Sequence, residues 1–285
     1  MKESFLLCTI LSSETTDTTF TSILVVASGK GGIGKSLLSL AIADLFKLND
    51  RRLRLFQLDD QQRLEKSVGQ TVVSLDINTL KLARRDPTAI TRVFSPLYSG
   101  IEALAYCSDT LLLDVGATQI GNLIDYAALT DLEEDLKLFG LGGYVFIPAV
   151  AEPESLRQAC RAIGHFQETL PSLTPVFVEN LRDGLLSELS TASQAGKIYA
   201  EELTPLIRDM RKITMPLIEA GSWRTFEQNH CRLIEVGSME IAEITELTGL
   251  SRPEAKLARG DVLAFFAQME EELGRLLHFG GGEHQ

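Results

Sequence analysis

One segment of the chain, residues 28–36, combines residue types that can hold phosphate. It reads Ser-Gly-Lys-Gly-Gly-Ile-Gly-Lys-Ser and fits Gly-x-x-x-x-Gly-Lys-Ser, the spacing of a phosphate-binding loop. Glycines allow the backbone to curl around phosphate oxygens with its N–H groups pointing inward. Lys35 is placed to reach the β- and γ-phosphates, and Ser36 to bind Mg²⁺. The segment therefore predicts a nucleoside triphosphate site, with a plain glycine-rich turn as the alternative.

A second candidate for the chemistry is Asp114, which follows the apolar run Thr-Leu-Leu-Leu at residues 110–113. A carboxylate at the end of a buried strand is placed to hold Mg²⁺ through water, since Mg²⁺ keeps much of its hydration shell. Together with Ser36 it would form the metal site. The alternative is an acid in the turn after a strand.

Strands and helices must alternate to bring these residues together. Residues 23–27 form a continuous apolar run before the loop, and apolar residues at helical spacing follow it. Further strands are predicted at 53–58, 71–75, 110–114, 142–148 and 174–178, with helices near 86–94, 119–139 and 154–170. This order predicts an α/β P-loop fold, a mostly parallel twisted sheet with helices on both faces. Ligands of such sheets bind at the C-terminal ends of the strands.

The pattern weakens after residue 184. We predict a last short strand at 212–215 and helices at 222–236, 238–248 and 252–278, the last one interrupted near Arg259-Gly260. The expected organisation is a lead at 1–21, a P-loop domain at 22–236, helices at 237–279 packed on that domain, and a flexible tail at 280–285.

Composition narrows the classes of function. The chain has 285 residues and a net charge of −12, which argues against wrapping nucleic acid and against an anionic membrane surface. The four cysteines lie far apart without zinc-binding spacing and predict reduced thiols. No apolar run approaches the roughly 18 residues that span a bilayer, and the apolar stretch at 4–11 lacks the features of a signal peptide. These features predict a cytoplasmic protein.

Lys30, directly after the first glycine, gives the pattern Gly-Lys-Gly-Gly-x-Gly-Lys-Ser. This pattern resembles the deviant Walker A motif of the ParA/MinD family of ATPases, which dimerise around two ATP molecules. The resemblance covers roughly residues 22–220 and implies bound ATP, Mg²⁺ and a homodimer. In that family the extra lysine reaches the partner's nucleotide, so Lys30 and Lys35 are both predicted as catalytic, with a solvated Lys30 as the alternative. The nucleotide-binding residues implied by the loop are Gly29, Lys30, Gly31, Gly32, Ile33, Gly34, Lys35, Ser36 and Leu37.

Residues 57–61, Gln-Leu-Asp-Asp-Gln, resemble the family's second acidic motif, Asp-x-Asp-x-Gln. The match implies that Asp59 orients the attacking water and contacts the Mg²⁺ shell, on a strand expected beside the loop strand. Gln57 replaces the earlier aspartate and can hydrogen-bond but carries no charge. Slower hydrolysis and a purely structural role for Gln57 both stay open. Gly116 stands where the family usually has proline, and some conjugal-transfer relatives carry glycine there.

Three later residues match family positions around the nucleoside. Glu152 matches a glutamate that reaches the partner's ribose, and an acid favoured at a helix start is an equal alternative. Asn180 matches an asparagine whose amide reads adenine, with a turn residue as the alternative. Pro216 matches a loop that flanks the base.

The C-terminal helices and one basic group bear on possible partners. Residues 241–254 faintly resemble a helix-turn-helix, although two helices packed through a glycine turn are favoured. The helix at 261–278 has glutamates on its polar face, which favours a packed helix or a protein partner over a membrane. Non-specific DNA binding stays open through a local basic excess: Arg208, Arg211, Lys212, Arg224 and Arg232. The alternative is that these arginines are solvated or pair with Asp209, Glu219 and Glu227.

The residues and the resemblance together predict an ATP-driven dimerising switch that hydrolyses ATP slowly and is stimulated by a protein partner. The plasmid-partition and conjugal-transfer branch of the family looks most similar. Two alternatives stay open: a nucleotide-dependent binding module with little turnover, suggested by Gln57, and a metabolic P-loop enzyme or metal-cluster scaffold. The lack of a Cys-x-x-Cys motif in the sequence disfavours the scaffold.

Overall fold

The computed structural model describes residues 22–59, 63–76, 87–219 and 222–279. The predicted lead at 1–21 and tail at 280–285 lie outside the described residues, as do Asp60 and Gln61 of the second acidic segment.

Within the described residues, seven parallel strands form one sheet in the order β3-β2-β4-β1-β5-β6-β7. The strands are β1 Ile23–Ala27, β2 Leu53–Leu58, β3 Val72–Ser74, β4 Thr110–Val115, β5 Gly143–Ala149, β6 Leu173–Asn180 and β7 Arg211–Met215. The predicted fold class is confirmed. The expectation that β2 lies beside β1 is wrong, because β4 is inserted between them. Every residue of β4 is buried, as a central strand requires, whereas β2 begins with partly exposed residues.

Helices cover both faces of the sheet. They are α1 Lys35–Leu48, α2 Arg63–Val68, α3 Pro87–Leu104, α4 Ile120–Leu129, α5 Leu132–Leu138, α6 Pro153–Thr169, α7 Gln194–Ile198, α8 Thr204–Ile207, α9 Ser222–Gln228, α10 Leu233–Ser238, α11 Ile241–Thr248 and α12 Arg252–Leu277, with 3-10 turns at Leu181–Asp183 and Leu186–Glu188 and a π-turn at Tyr199–Leu203. One apolar core lies between the sheet and α3, α4 and α6. The other lies between the sheet and α1 and α12. The strands are therefore apolar on both sides, and polar residues collect at their ends.

The C-terminal helices differ from the sequence prediction in two places. The helix expected at 222–236 is two helices, because the chain turns between α9 and α10 and His230 has a left-handed φ of 59°. The interruption expected near Gly260 is absent from α12, a continuous helix of 26 residues. Glycine costs about 1 kcal/mol inside a helix, but buried Ala258 and Val262 on either side hold this part of α12 against the core.

The edge strand β7 is covered by α12. The Glu272 side chain accepts a hydrogen bond of 3.0 Å from the Thr214 backbone N–H. Phe265, Phe266 and Met269 of the same helix are buried in the apolar core. Helix α12 is therefore packed against the rest of this chain. Among the described residues, no helix is both long and apolar enough to span a membrane.

Candidate functional site

The glycine loop joins β1 to α1 and has the backbone shape that its sequence predicts. Gly32 and Gly34 have left-handed φ values of 72° and 86°, which glycine adopts without a steric penalty. A Cβ on Gly34 would lie 2.8 Å from Met215 Cε and 2.9 Å from Asn180 Nδ2, whereas one on Gly31 or Gly32 would meet no atom within 4 Å. The loop is therefore tightly supported from one side and open at its tip.

Lys35 begins α1 and is 8% exposed. Its Nζ donates a hydrogen bond of 2.9 Å to the backbone carbonyl of Lys30. This contact holds the ammonium group across the loop, next to the N-terminus of α1. A cation at a helix N-terminus favours an anionic ligand there.

Asp114 lies near the C-terminal end of β4, where the sheet register sets it beside Val26 of β1 and Gln57 of β2. It is 3% exposed. A buried carboxylate is costly unless cations or hydrogen-bond donors surround it. The groups around this carboxylate therefore decide whether it can be charged and bind a metal ion.

Burial raises the pKa of Asp114 to about 6. The Lys35 ammonium opposes this rise, and the nearby Asp59 carboxylate adds to it. The hydroxyls of Ser39 and Ser36 lower the pKa. A divalent cation would favour the charged form strongly, so this carboxylate suits a metal ion beside Ser36.

Asp59 follows β2 and packs against the residue after β4. A Cβ added to Gly116 would lie 3.1 Å from Asp59 Cγ and 3.1 Å from the Leu58 carbonyl oxygen. The Gly116 N–H also donates a 2.9 Å hydrogen bond to that carbonyl. Proline, the usual family residue, has no N–H for this bond. Glycine therefore ties the ends of β2 and β4 together and leaves room for Asp59.

Gln57 is buried, and its side chain is directed along the sheet to β3. Its Nε2 donates a 3.1 Å hydrogen bond to Ser74 Oγ, and that hydroxyl contacts Glu65 Oε2 at 3.3 Å. The side chain thus has a structural role that joins β2 to β3 and α2. Its effect on hydrolysis stays a prediction.

The glycine loop opens into a cavity of about 590 Å³ at the C-terminal ends of the strands. Its lining combines loop glycines, charged side chains and apolar groups from distant parts of the chain. The lining residues are Gly31, Gly32, Gly34, Lys35, Ser36, Leu37, Asp59, Ala117, Thr118, Asn180, Arg182, Met215, Pro216, Leu217, Ile218, Trp223 and Glu227. A nucleotide fits a cavity of this size and position.

Asn180 and Arg182 connect the end of β6 to the glycine loop. The buried Asn180 Nδ2 donates to the Ile33 carbonyl at 2.9 Å, and its Oδ1 accepts from the Arg182 N–H at 2.9 Å. Arg182 Nη1 donates to the Gly32 carbonyl. Asn180 therefore supports the loop conformation in this structure. Its predicted reading of adenine stays a prediction, with Pro216 on the same cavity wall.

Lys30 and Glu152, both predicted to act on the partner's nucleotide, contact each other within this chain. Lys30 Nζ lies 3.0 Å from Glu152 Oε1, with side chains 34% and 40% exposed. Glu152 is the residue before α6, in an extended conformation. The structure thus brings the two residues together at the loop, and neither is among the residues that line the cavity.

The basic group considered for DNA binding is not one surface. Arg208, Arg211 and Lys212 are exposed near the start of β7, at the opposite end of the sheet from the cavity. Arg232 is buried, and its Nε donates to Asp44 Oδ1 at 2.5 Å. The inclusion of Arg232 in the basic group is wrong, because its guanidinium is buried and paired with Asp44 and is not accessible to DNA.

Several residues that line the cavity could not be identified as site residues from the sequence. Arg182, Met215, Ile218, Trp223 and Glu227 come from the ends of β6 and β7 and from α9, and they form no motif. Trp223 is the single tryptophan of the chain, but that alone does not distinguish it from a core residue.

The residues present fit ATP with Mg²⁺. The loop has an open glycine tip and a buried lysine, and the hydroxyl of Ser36 faces the Asp114 carboxylate. The described residues contain no group of three or more His, Cys, Asp or Glu side chains that could hold a metal by themselves. Mg²⁺ commonly takes one or two protein ligands and completes its shell with phosphate and water.

No protein-family model and no curated protein sequence matches this chain. Solved structures similar to it include a chain of the MinC:MinD cell division protein complex of Aquifex aeolicus, with 13% identity and a TM-score of 0.45 over 87% of this chain and 96% of that one. A ParA family ATPase from Chlorobium tepidum has 12% identity and a TM-score of 0.49, over 86% and 99%. A complex of a Cyanothece McdA variant with ATP has 16% identity and a TM-score of 0.47, over 89% and 96%. At these identities the likeness concerns the fold alone.

Proposed function

We propose that this protein is a molecular switch that binds ATP with Mg²⁺, hydrolyses it and dimerises while ATP is bound. The observation that carries the proposal is the placement of Lys35 and Asp59 in the cavity of the glycine loop, with Asp114 buried next to both. Positive charge, an anion-binding backbone and two carboxylates are the parts that phosphoryl transfer to water requires.

The phosphate end of the cavity has a defined set of tasks. The loop N–H groups and Lys35 would bind the phosphate oxygens, and Ser36 and Asp114 would hold the metal ion. Mg²⁺, when bound, would neutralise charge on the phosphate oxygens. Asp59 would orient the attacking water, because it lies at the cavity wall formed by the ends of β2 and β4.

Dimerisation is proposed to use Lys30 and Glu152. Each would have to leave its present ion pair to reach a partner's nucleotide. A half-exposed ion pair contributes about 0–1 kcal/mol, so separating the two side chains is a small cost beside the charge of a triphosphate. Nucleotide binding and dimer affinity would then be coupled.

The cellular process proposed is plasmid partition or conjugal DNA transfer, with a protein partner that stimulates slow hydrolysis. This part rests on the motif resemblance alone. A second candidate is a nucleotide-dependent binding module with little turnover. It is favoured by one observation, the neutral Gln57 bound to Ser74 at the position of a family aspartate.

Phosphate release and size-exclusion chromatography, each with and without Mg-ATP, test the proposal. We expect hydrolysis and an ATP-dependent shift to the dimer. Asp59→Ala should stop turnover and retain the dimer, whereas Asp125→Ala, at an exposed acid of α4, should behave as wild type. ATP-dependent dimerisation without phosphate release would favour the binding module.

A separate variant tests the role of Lys30. Lys30→Gln should bind ATP with a modest loss and fail to dimerise, because no cation would reach the partner's phosphates. Lys47→Gln, an exposed position on α1, is the charge-matched control. A Lys30→Gln protein that dimerises normally with ATP would remove the subunit-bridging role.

A further inference from the structure

Helix α9 forms part of the cavity wall, although it lies in the C-terminal part of the chain. Trp223 and Glu227 are four residues apart, so both side chains lie on one face of the helix, and both line the cavity. They also border a smaller cavity against Ser36, Leu37 and Leu64. Helix α9 therefore lies across the start of α1. Its own start is fixed to α12 by a 2.7 Å hydrogen bond from Ser222 Oγ to Asp261 Oδ2.

The two ends of the cavity differ in chemistry. The ends of β2 and β4 contribute the carboxylate of Asp59, and the glycine loop and Lys35 lie between. The end formed by β7 and the following loop is mainly apolar, with Met215, Pro216 and Ile218. A triphosphate suits the first end and the loop. The apolar end suits the nucleoside, since flat bases bind against apolar and aromatic side chains.

The carboxylate of Glu227 limits the groups of a nucleotide with which this side chain can interact favourably. A carboxylate accepts hydrogen bonds and is repelled by phosphate oxygens. The nucleoside half of ATP carries suitable donors, namely the amino group of adenine and the ribose hydroxyls. Trp223 is mostly buried and adds an indole to the same wall, next to Leu37 of α1.

We propose that α9 recognises the nucleoside, with Trp223 packing against it and Glu227 accepting a hydrogen bond from one of its N–H or O–H donors. This inference rests on the proposed function. It makes Glu227 a specificity-determining residue that selects for a donor on the base or the sugar. It also places α9, which is hydrogen-bonded to α12 through Ser222, in direct contact with the nucleotide.

The test is a titration of ATP, ITP, 2′-deoxy-ATP and 3′-deoxy-ATP into wild type and Glu227→Ala, by calorimetry with Mg²⁺ present. ITP lacks the amino group, and each deoxy nucleotide lacks one hydroxyl. Wild type should bind one analogue at least about tenfold more weakly than ATP, because that analogue leaves a charged acceptor without its donor. Glu227→Ala should bind ATP about tenfold more weakly and show no penalty for the same analogue. Glu227→Gln retains an acceptor and should recover part of the discrimination.

Two controls separate this inference from the proposed function. Glu246→Ala removes the same charge from an exposed site on α11 and should retain wild-type affinities. The emission of Trp223, as the single tryptophan, should change on ATP addition. Equal wild-type affinity for all four nucleotides, or an analogue penalty that survives in Glu227→Ala, overturns the inference while Lys35-dependent ATP binding remains. No ATP binding by wild type overturns the proposed function and this inference with it.

Discussion

Two buried aspartates, Asp44 on α1 and Asp114 on β4, have different surroundings. Asp44 is fully buried and bound on both oxygens: Arg232 Nε donates to Oδ1 at 2.5 Å, and the Ile234 N–H donates to Oδ2 at 3.2 Å. Arg232 also donates to the Val68 carbonyl at 2.6 Å. This cluster fixes α1 and α2 to the start of α10, and its charges are balanced within the chain.

Asp114 is buried to a similar extent but less completely compensated. Its cation, Lys35, also faces the phosphate loop, and its neighbour Asp59 is another acid. Burial raises the pKa of both carboxyls, and that of Asp114, where the neighbouring Asp59 carboxylate adds to the rise, reaches about 6. The same residue type in the same core is structural where the chain supplies a dedicated cation, and available to a ligand where it does not.

The largest expected effect is on the Asp44 region. Arg232→Leu should lower the free energy of unfolding by about 3–5 kcal/mol, because it leaves a buried carboxylate without its cation. Urea denaturation measures this, with Arg224→Leu, at an exposed position of α9, as the matched control. The double variant Asp44→Leu/Arg232→Leu should regain much of the loss. A change in Arg232→Leu no larger than that of the control would contradict the structural role.

The second effect concerns Asp114 and pH. Its pKa is about 6 in the folded protein against 3.8 for the unfolded reference, so between these values the folded state binds more protons. Stability without ligand should therefore fall as pH rises from about 4 to about 6, by up to roughly 3 kcal/mol. Asp114→Asn should remove this contribution to the pH dependence, while the contribution of Asp44, whose pKa burial also raises, remains. The same variant should weaken Mg-ATP binding. Identical pH profiles for the two proteins would show that Asp114 titrates normally.

A smaller effect, on turnover, tests whether hydrolysis depends on the position of Asp59. Gly116→Ala places a Cβ 3.1 Å from Asp59 Cγ, so the carboxylate must move by a few tenths of an ångström. We expect turnover to drop about tenfold, or about 1.4 kcal/mol in the barrier, with ATP affinity retained. Gly121→Ala in α4, where a Cβ meets no atom within 4 Å, is the control. Equal turnover in both variants would argue against a precise position for Asp59.

The sequence predicts the phosphate half of the site because its parts are contiguous or end strands. Residues 28–36 form one motif, and Asp114 ends an apolar run that reads as a buried strand. The α/β class followed from the same alternation. The position of β2 in the sheet could not be predicted in this way, because strand order depends on crossovers between elements and not on local sequence pattern.

The nucleoside half and the Asp44 region could not be predicted in this way. Arg232 and Asp44 are 188 positions apart, and a lone arginine gives no sign of its burial or of its partner. Trp223 and Glu227 belong to a short helix whose position depends on α12. Such contacts arise from packing between distant elements, which no local spacing encodes.

Titration of Mg-ATP into wild type, Lys35→Ala and Lys47→Ala tests the central claim most directly. Lys47 is an exposed lysine in the last turn of the same helix as Lys35. The account predicts saturable binding by wild type and Lys47→Ala, and affinity at least about tenfold weaker in Lys35→Ala, since a charged hydrogen bond to phosphate is lost. Equal affinity of all three proteins for Mg-ATP, or no binding by wild type, would contradict it.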